Sequence, residues 1–408
     1  MNQADRSLRV AHLALTALPR TVGGLEIVVD NLIRQQLAAG HEPVLVTRWA
    51  QARAARGSGL PYRVLGLPPN PNPRPIPNRD VGPRWPTAAG IAWHQLRHRF
   101  DVWHVHGIYP TGWMAQGVLD MVGAPLVLTA HGSDIETDID SGHGFRLDVR
   151  NDRRARQVMA KARYLTAISS VIERHYEEAG VSREKITRIA NGVNLESFQA
   201  LNVDPLAVRR RHGLPLTGKM ILSVGSDRPA KGHRYIPETL ARLRARGHDV
   251  VWVILGGGPA TMAPLAERAG VSDHLFVIPP IGNACPRSGS FPSEDVIAMY
   301  RSADLFVMPS LSEGFGMAAI EAMAAGLPVI ASEVGGLPSF ITHGVNGLLV
   351  PPRDVEALQH AVEGILLSPD GGAKLAISAQ ATAADHDWSK ISGEYVELYL
   401  RATRGVAK

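Results

Sequence analysis

At 408 residues, the chain is too long for one ordinary hydrophobic core and suits two α/β domains of about 200 residues each. Its single cysteine, Cys285, excludes an internal disulfide and fits a reducing compartment. The formal net charge of +5, with 16 histidines in addition, suits phosphate-bearing partners or an anionic membrane surface. Nucleic acid is disfavoured, because aromatic–basic interleaving, zinc spacing and a basic reading helix are all missing from the sequence. The polar start Met1–Arg6 shows no signal peptide, and no uncharged apolar run is long enough to span a bilayer. The expected setting is cytoplasmic, with peripheral contact at the inner membrane face as an option.

In chain order, Arg9–Ala14 reads as the first strand and leads through Gly23 and Gly24 into a helix from Ile27 to Ala39, closed by Gly40. A double glycine opening a helix after a strand is a place where phosphate or sugar can touch backbone. The third glycine of a dinucleotide fingerprint is missing. Val44–Thr47 reads as the second strand. Prolines crowd between Pro61 and Pro86, which is expected to be an irregular surface segment, either an insertion or an acceptor-side loop.

Asp101–Gly107 reads as a strand whose His104 and His106 share one face. They lack the further close-spaced ligands of a zinc site. Leu126–Ala130 is the next strand, and His131 follows at its carboxyl end, where an imidazole can hydrogen-bond a sugar hydroxyl or take a proton. Asp138-Ile139-Asp140 lies in a polar stretch and reads as a solvated loop rather than a manganese site. The most basic segment, Arg146–Arg163, reads as a solvated helix face, with a patch for anionic lipid head groups or a phosphorylated acceptor as the alternative.

Strands follow at Tyr164–Ser169 and Lys185–Ala190, then Asn191-Gly192-Val193-Asn194. The polar stretch from Asn194 to Gly218 lacks strand signals and reads as a hinge. A second series of strands is expected at Met220–Gly225, Asp249–Leu255, His274–Pro279, Ala303–Pro309 and Leu327–Ser332. The first runs into Ser226–His233, which holds Arg228 and Lys231. The triple glycine Gly256–Gly258 has no Gly-Lys-Ser/Thr after it, so it is no P-loop. Asn283–Pro292 reads as an insertion.

The most informative stretch is Ser310–Gly316 and the Ala/Met-rich helix that follows it to Gly326. Gly314 and Gly316 let backbone approach a ligand, and the helix's first amides attract an anion such as a diphosphate. Glu313 sits at the lip of the turn, and Glu321 lies about a turn and a half inside the helix. Two carboxylates so placed can accept hydrogen bonds from hydroxyls at both ends of an elongated ligand, as in a nucleotide sugar. Glu321 is flanked by apolar residues, so its charge needs a partner.

Glutamate, seven residues and glutamate, with Gly314-Phe315-Gly316 after the first and Gly326–Ile330 after the second, resembles the signature of the family 4 retaining glycosyltransferases with the GT-B fold. Gly23–Glu42, His131 and Asn191–Asn194 resemble other motifs of that family, so the resemblance runs from Gly23 to about Tyr399. The chain departs from the pattern at Ser226, where an arginine is usual, and at Ser339, where a glutamate is usual.

The resemblance implies two Rossmann-like α/β domains with parallel sheets facing a central cleft. The expected division is an acceptor domain over 1–200, a donor domain over 201–385, and a C-terminal helix over 386–408 crossing back to the first. It implies a retaining, metal-independent enzyme without cofactor, moving sugar from a UDP- or GDP-linked donor to a hydroxyl on a lipid, glycan or small molecule. Lys231, Arg228 and the Gly314-Phe315-Gly316 turn would hold the diphosphate, Glu313 the sugar hydroxyls and Glu321 the ribose. His131 would take a sugar hydroxyl or serve the acceptor side, with Gly23 and Gly24 at the substrate. A sugar-nucleotide epimerase and a nucleotide-binding pseudotransferase, the latter suggested by Ser226, are the competing readings.

Overall fold

A computed structural model describes residues 6–69, 85–132, 134–137, 144–282 and 291–404. The readings on Asp138–Asp140, on Cys285 and on most of the proline-rich and 283–292 segments lie outside the described residues. The described chain forms two compact units. One holds the chain up to Asn191 and again from Trp388, and the other holds most of Gly192–Asp387.

The first unit is built on seven strands: β1 (Arg9–Leu13), β2 (Glu42–Arg48), β3 (Arg63–Leu67), β4 (Val102–His106), β5 (Leu126–Thr129), β6 (Tyr164–Ala167) and β7 (Ile186–Arg188). They are hydrogen-bonded in the order β3-β2-β1-β4-β5-β6-β7, every pair parallel. Parallel neighbours need crossovers, which is why strands alternate with helices and carry runs buried on both faces. All five residues of β4 are buried. The second unit repeats the scheme with β8 (Lys219–Val224), β9 (Val250–Leu255), β10 (Leu275–Ile278), β11 (Leu305–Met308), β12 (Val329–Ser332) and β13 (Leu348–Val350). Its order is β10-β9-β8-β11-β12-β13, again all parallel.

Four helices bear on the two sites, α1 (Gly24–Ala38), α3 (Glu294–Arg301), α4 (Met317–Ala324) and α5 (Trp388–Thr403), and α2 (Val149–Lys161) carries much of the basic segment. α5 packs on α1, β4 and β5, with Tyr395, Leu398 and Tyr399 fully buried. In the second unit, Trp252 Nε1 donates to Ser223 Oγ at 3.0 Å, and that hydroxyl donates to the Val307 carbonyl at 2.6 Å. This pins β9, β8 and β11 together with no buried polar group wasted.

One expectation is corrected. Within the segment read as irregular, Arg63–Leu67 is β3, in register with β2 from Val44↔Arg63 to Arg48↔Leu67, and the segment's last two residues, Trp85 and Pro86, open a helix that runs to His98. The strand is short and Gly66, its fourth residue, weakens the pattern; glycine is there because Ala52 Cβ and the Trp49 backbone press on it at 3.3–3.4 Å from where a Cβ would stand. The stretch read as a hinge without strand signals carries two short helices. Asn194 caps Leu195–Ala200 through Ser197 N, and Asp204 caps Pro205–Arg211. Cap residues and a proline at a first turn were the available signal.

Much of the basic segment is spoken for. Arg146 and Arg156 both pair with Asp152, Arg150 with Asp148, and Lys161 with Asp120. Among the described residues, no helix is long and apolar enough to cross a membrane.

Candidate active site

In each sheet the strand order reverses direction at one point, β1 against β4 and β8 against β11. Ligands of open parallel sheets bind at such points, outside the carboxyl ends of the strands. In the second unit, that end gathers the loop after β8 and the loop after β11. Leu311 N donates to the Ala230 carbonyl at 2.7 Å. Gly232 has φ +65, and a Cβ on it would run into the Pro309 carbonyl oxygen, so only glycine lets the two loops meet.

Their contact brings Lys231 Nζ to 2.6 Å from Glu313 Oε2, with the two side chains only 19% and 14% exposed. Arg228 Nε donates to Ser226 Oγ at 3.0 Å on the same loop, in the open. The arginine two positions on thus stands over the serine that departs from the family pattern. Two further glycines fix Glu313. Gly336 N donates to the Glu313 carbonyl at 2.7 Å, and Gly335, at φ +55, would push a Cβ into that same carbonyl oxygen. Gly335→Ala is therefore expected to cost about 1–3 kcal/mol in the second unit's unfolding and to lower kcat/KM at least tenfold by displacing Glu313. Wild-type kinetics in this variant would show that the contact does not place the carboxylate.

Gly316, at φ +111, opens α4, and a Cβ there would strike Leu337. The Phe315 ring is 3% exposed and packs on Phe340 and His386, with centroids 4.9 and 6.0 Å away. Its side chain anchors the turn, so only its backbone is left to meet a ligand. The first amides of α4 have no acceptor within the helix. Glu321, one turn in, is 7% exposed and accepts a hydrogen bond from Tyr300 Oη at 2.9 Å. Burial raises its pKa to about 7, and the Tyr300 bond pulls back only part of that. The carboxylate expected to need a partner has one, on α3.

The first unit's reversal point holds histidines. His12 on β1 lies in register with His104 on β4. His12 Nε2 is 2.9 Å from Gln36 Oε1, His12 Nδ1 is 3.1 Å from His106 Nε2, and His106 Nδ1 is 3.1 Å from His131 Nε2. His104 bonds Tyr399 Oη through Nδ1 and Thr129 Oγ1 through Nε2, both at 2.6 Å. Nitrogens of His12, His104 and His106 lie within 4.8 Å of one another, as metal ligands would, but all six are already committed to these hydrogen bonds. Burial holds His12 and His131 down to about 4, and His104 and His106 well below the usual imidazole value. All four rings are neutral.

Asp134, 6% exposed, fixes the loop that carries His131, accepting from His131 N and Ile108 N at 2.9 Å each. Glu26 of α1 lies against Gly23, its Oε2 2.9 Å from where a Cβ would be, whereas Gly24 faces open space. Gly23, Gly24 and His131 thus belong to the first unit. Arg228, Lys231, Glu313, Gly314, Phe315, Gly316 and Glu321 belong to the second.

Sequence reasoning missed His12, Gln36, Asp134, Tyr300 and Tyr399. His12 had a signal, since the first two strands of a reversal point pair in parallel register. The two tyrosines had none beyond lying on amphipathic helices.

Two units with all-parallel, Rossmann-ordered sheets define the GT-B class of glycosyltransferase folds. The pattern of the family described as glycosyl transferases group 1 matches residues 206–382, and that of glycosyltransferase family 4 matches residues 22–197. A D-inositol 3-phosphate glycosyltransferase of Thermobispora bispora is 30% identical over 331 residues, covering 76% of this chain and 72% of its own. That of Frankia alni is 28% identical over 403 residues, covering 93% and 95%. Among solved structures, Anabaena HepE in complex with UDP has a TM-score of 0.76 at 19% identity, covering 96% of this chain and 99% of its own. Sucrose-phosphate synthase of Thermosynechococcus elongatus has a TM-score of 0.76 at 22% identity, covering 97% and 99%. The chain belongs to glycosyltransferase family 4, with the group 1 glycosyl transferase domain as its second half.

Proposed function

We propose that this glycosyltransferase moves a sugar from a nucleoside-diphosphate donor to a hydroxyl acceptor, with retention of configuration and without a metal ion. The observation that carries the donor reading is the Lys231–Glu313 pair at the mouth of α4, with Glu321 buried behind it on the same helix. On this reading Glu313 serves the sugar hydroxyls, Lys231 the diphosphate and Glu321 the ribose, the three parts of a nucleotide sugar. The positive charges of Lys231 and Arg228, with the amides at the start of α4, are what would stabilise the departing diphosphate in place of a cation. UDP in the HepE complex supports a uridine donor as the first choice, and GDP-linked donors are the second. The curated relatives make D-inositol 3-phosphate the first acceptor to try.

The test is calorimetric titration with UDP, GDP, ADP and TDP in a chelator. One nucleotide is expected to bind, and Glu321→Ala is expected to weaken it at least tenfold, as losing two ribose hydrogen bonds to a buried carboxylate would. Equal binding by wild type and variant would remove Glu321 from the nucleotide site. A requirement for added divalent metal would overturn the metal-free reading.

A further inference from the structure

We propose that Gln36, which is fully buried, sets the tautomer of His131 through His12 and His106, so that His131 meets its ligand only as a hydrogen-bond acceptor through Nδ1. The role of His131 at the sugar rests on the transferase reading; the tautomer does not.

Gln36 Oε1 can only accept, so His12 Nε2 carries the proton, and in a neutral ring Nδ1 is then bare. A bare His12 Nδ1 must accept from His106 Nε2–H. His106 Nδ1 is then bare in turn and accepts from His131 Nε2–H. His131 Nδ1 is left with a lone pair. It has no partner among the described residues, and His131 is only part-buried, which leaves this atom to a ligand.

The other end of Gln36 fits this amide orientation. Gln36 Nε2 donates to Tyr399 Oη at 3.4 Å, which frees that hydroxyl to donate to His104 Nδ1 at 2.6 Å, and His104 Nε2–H donates to Thr129 Oγ1. One carboxamide therefore orients two chains of rings. Its reversal would invert every bond in both and turn Nδ1 of His131 from acceptor to donor. Burial supplies the remaining condition, since each ring is kept neutral and has one proton to place.

The chemical consequence is selective. A bare Nδ1 accepts from a hydroxyl and can take its proton, and it repels a carbonyl or phosphate oxygen that offers only lone pairs. Gln36 is a positioning residue in this scheme and touches no substrate.

The experiment reads the tautomer directly, by nitrogen-15 NMR of the ligand-free full chain with labelled histidine, assigned with His131→Asn. Wild type is expected to show the His131 proton on Nε2 alone. Gln36→Met removes the anchor and is expected to give a mixture of tautomers. Gln36→Glu, read above pH 8 where its carboxylate is ionised, can only accept from His12 and is expected to keep the wild-type tautomer, which also serves if the methionine variant does not fold. A proton on Nδ1 in wild type, a tautomer unmoved by Gln36→Met, or one reversed by Gln36→Glu would each overturn the proposal. Because no turnover is measured, failure here is separable from failure of the transferase reading.

Discussion

Replacing Lys231 by methionine is expected to lower kcat for sugar transfer about 10²–10³-fold, the effect of removing one group aimed at charge that develops on a leaving group. Methionine keeps the stem that lies along Gly225, so the loss would report charge rather than packing. Its partner gives the sharper result. In the free protein Lys231 is held by Glu313 at 2.6 Å, so an incoming diphosphate must compete with that carboxylate. Glu313→Gln is expected to leave nucleoside-diphosphate binding unchanged or tighten it severalfold, while transfer falls at least 100-fold. Calorimetry and initial rates on the same preparation separate the two. Parallel loss of binding and rate would mean that the pair is only a brace for the loops.

The first unit is expected to lose about 3–5 kcal/mol of stability between pH 7.5 and pH 5.5. His12, His104, His106 and His131 are all held below the usual imidazole value by burial. Between their unfolded value near 6.5 and their depressed folded values, the unfolded chain binds protons that the folded chain does not, so stability falls as pH falls. Asp30 and Asp134 of the same unit are raised by burial and work in the opposite direction, from a lower starting point. In the second unit His233, held down to about 4 by burial, is set against Glu321, raised to about 7, and the two largely offset. Denaturant curves are therefore expected to resolve two transitions on acidification, the earlier from the unit with the four histidines. One transition with a constant midpoint over that range would refute this reading.

What could be read in advance divides by the range of the interaction. The strands and the Glu313 loop were legible because apolar runs, glycines and a helix start are local features, and each survives in the structure within a residue or two. β3 was hidden because five residues around Gly66 give too few alternations between prolines. The setting of Phe315 was not legible, because a phenylalanine in a glycine-rich loop gives no sign of which side it faces; Phe340 and His386 decide that, from further along the chain. The histidine chain shows the limit most clearly. Gln36 and Tyr399 are 363 positions apart, and no local pattern could announce that they orient His131.

The second unit is, in chain order, an insert. Val193 forms a bridge with Asp387, Val193 N donates to the His386 carbonyl at 2.8 Å, and Leu195 N donates to the Asp387 carboxylate. Its two ends are thus tied side by side, while the first unit waits for α5. During synthesis, therefore, the half made first is the half finished last. Until the ribosome delivers Tyr395, Leu398 and Tyr399, the seven-stranded sheet stands with β4 and β5 uncovered and His104 without its tyrosine. A message cut short near Asp387 would leave a second unit able to close on itself and a first unit left for the cell's quality control.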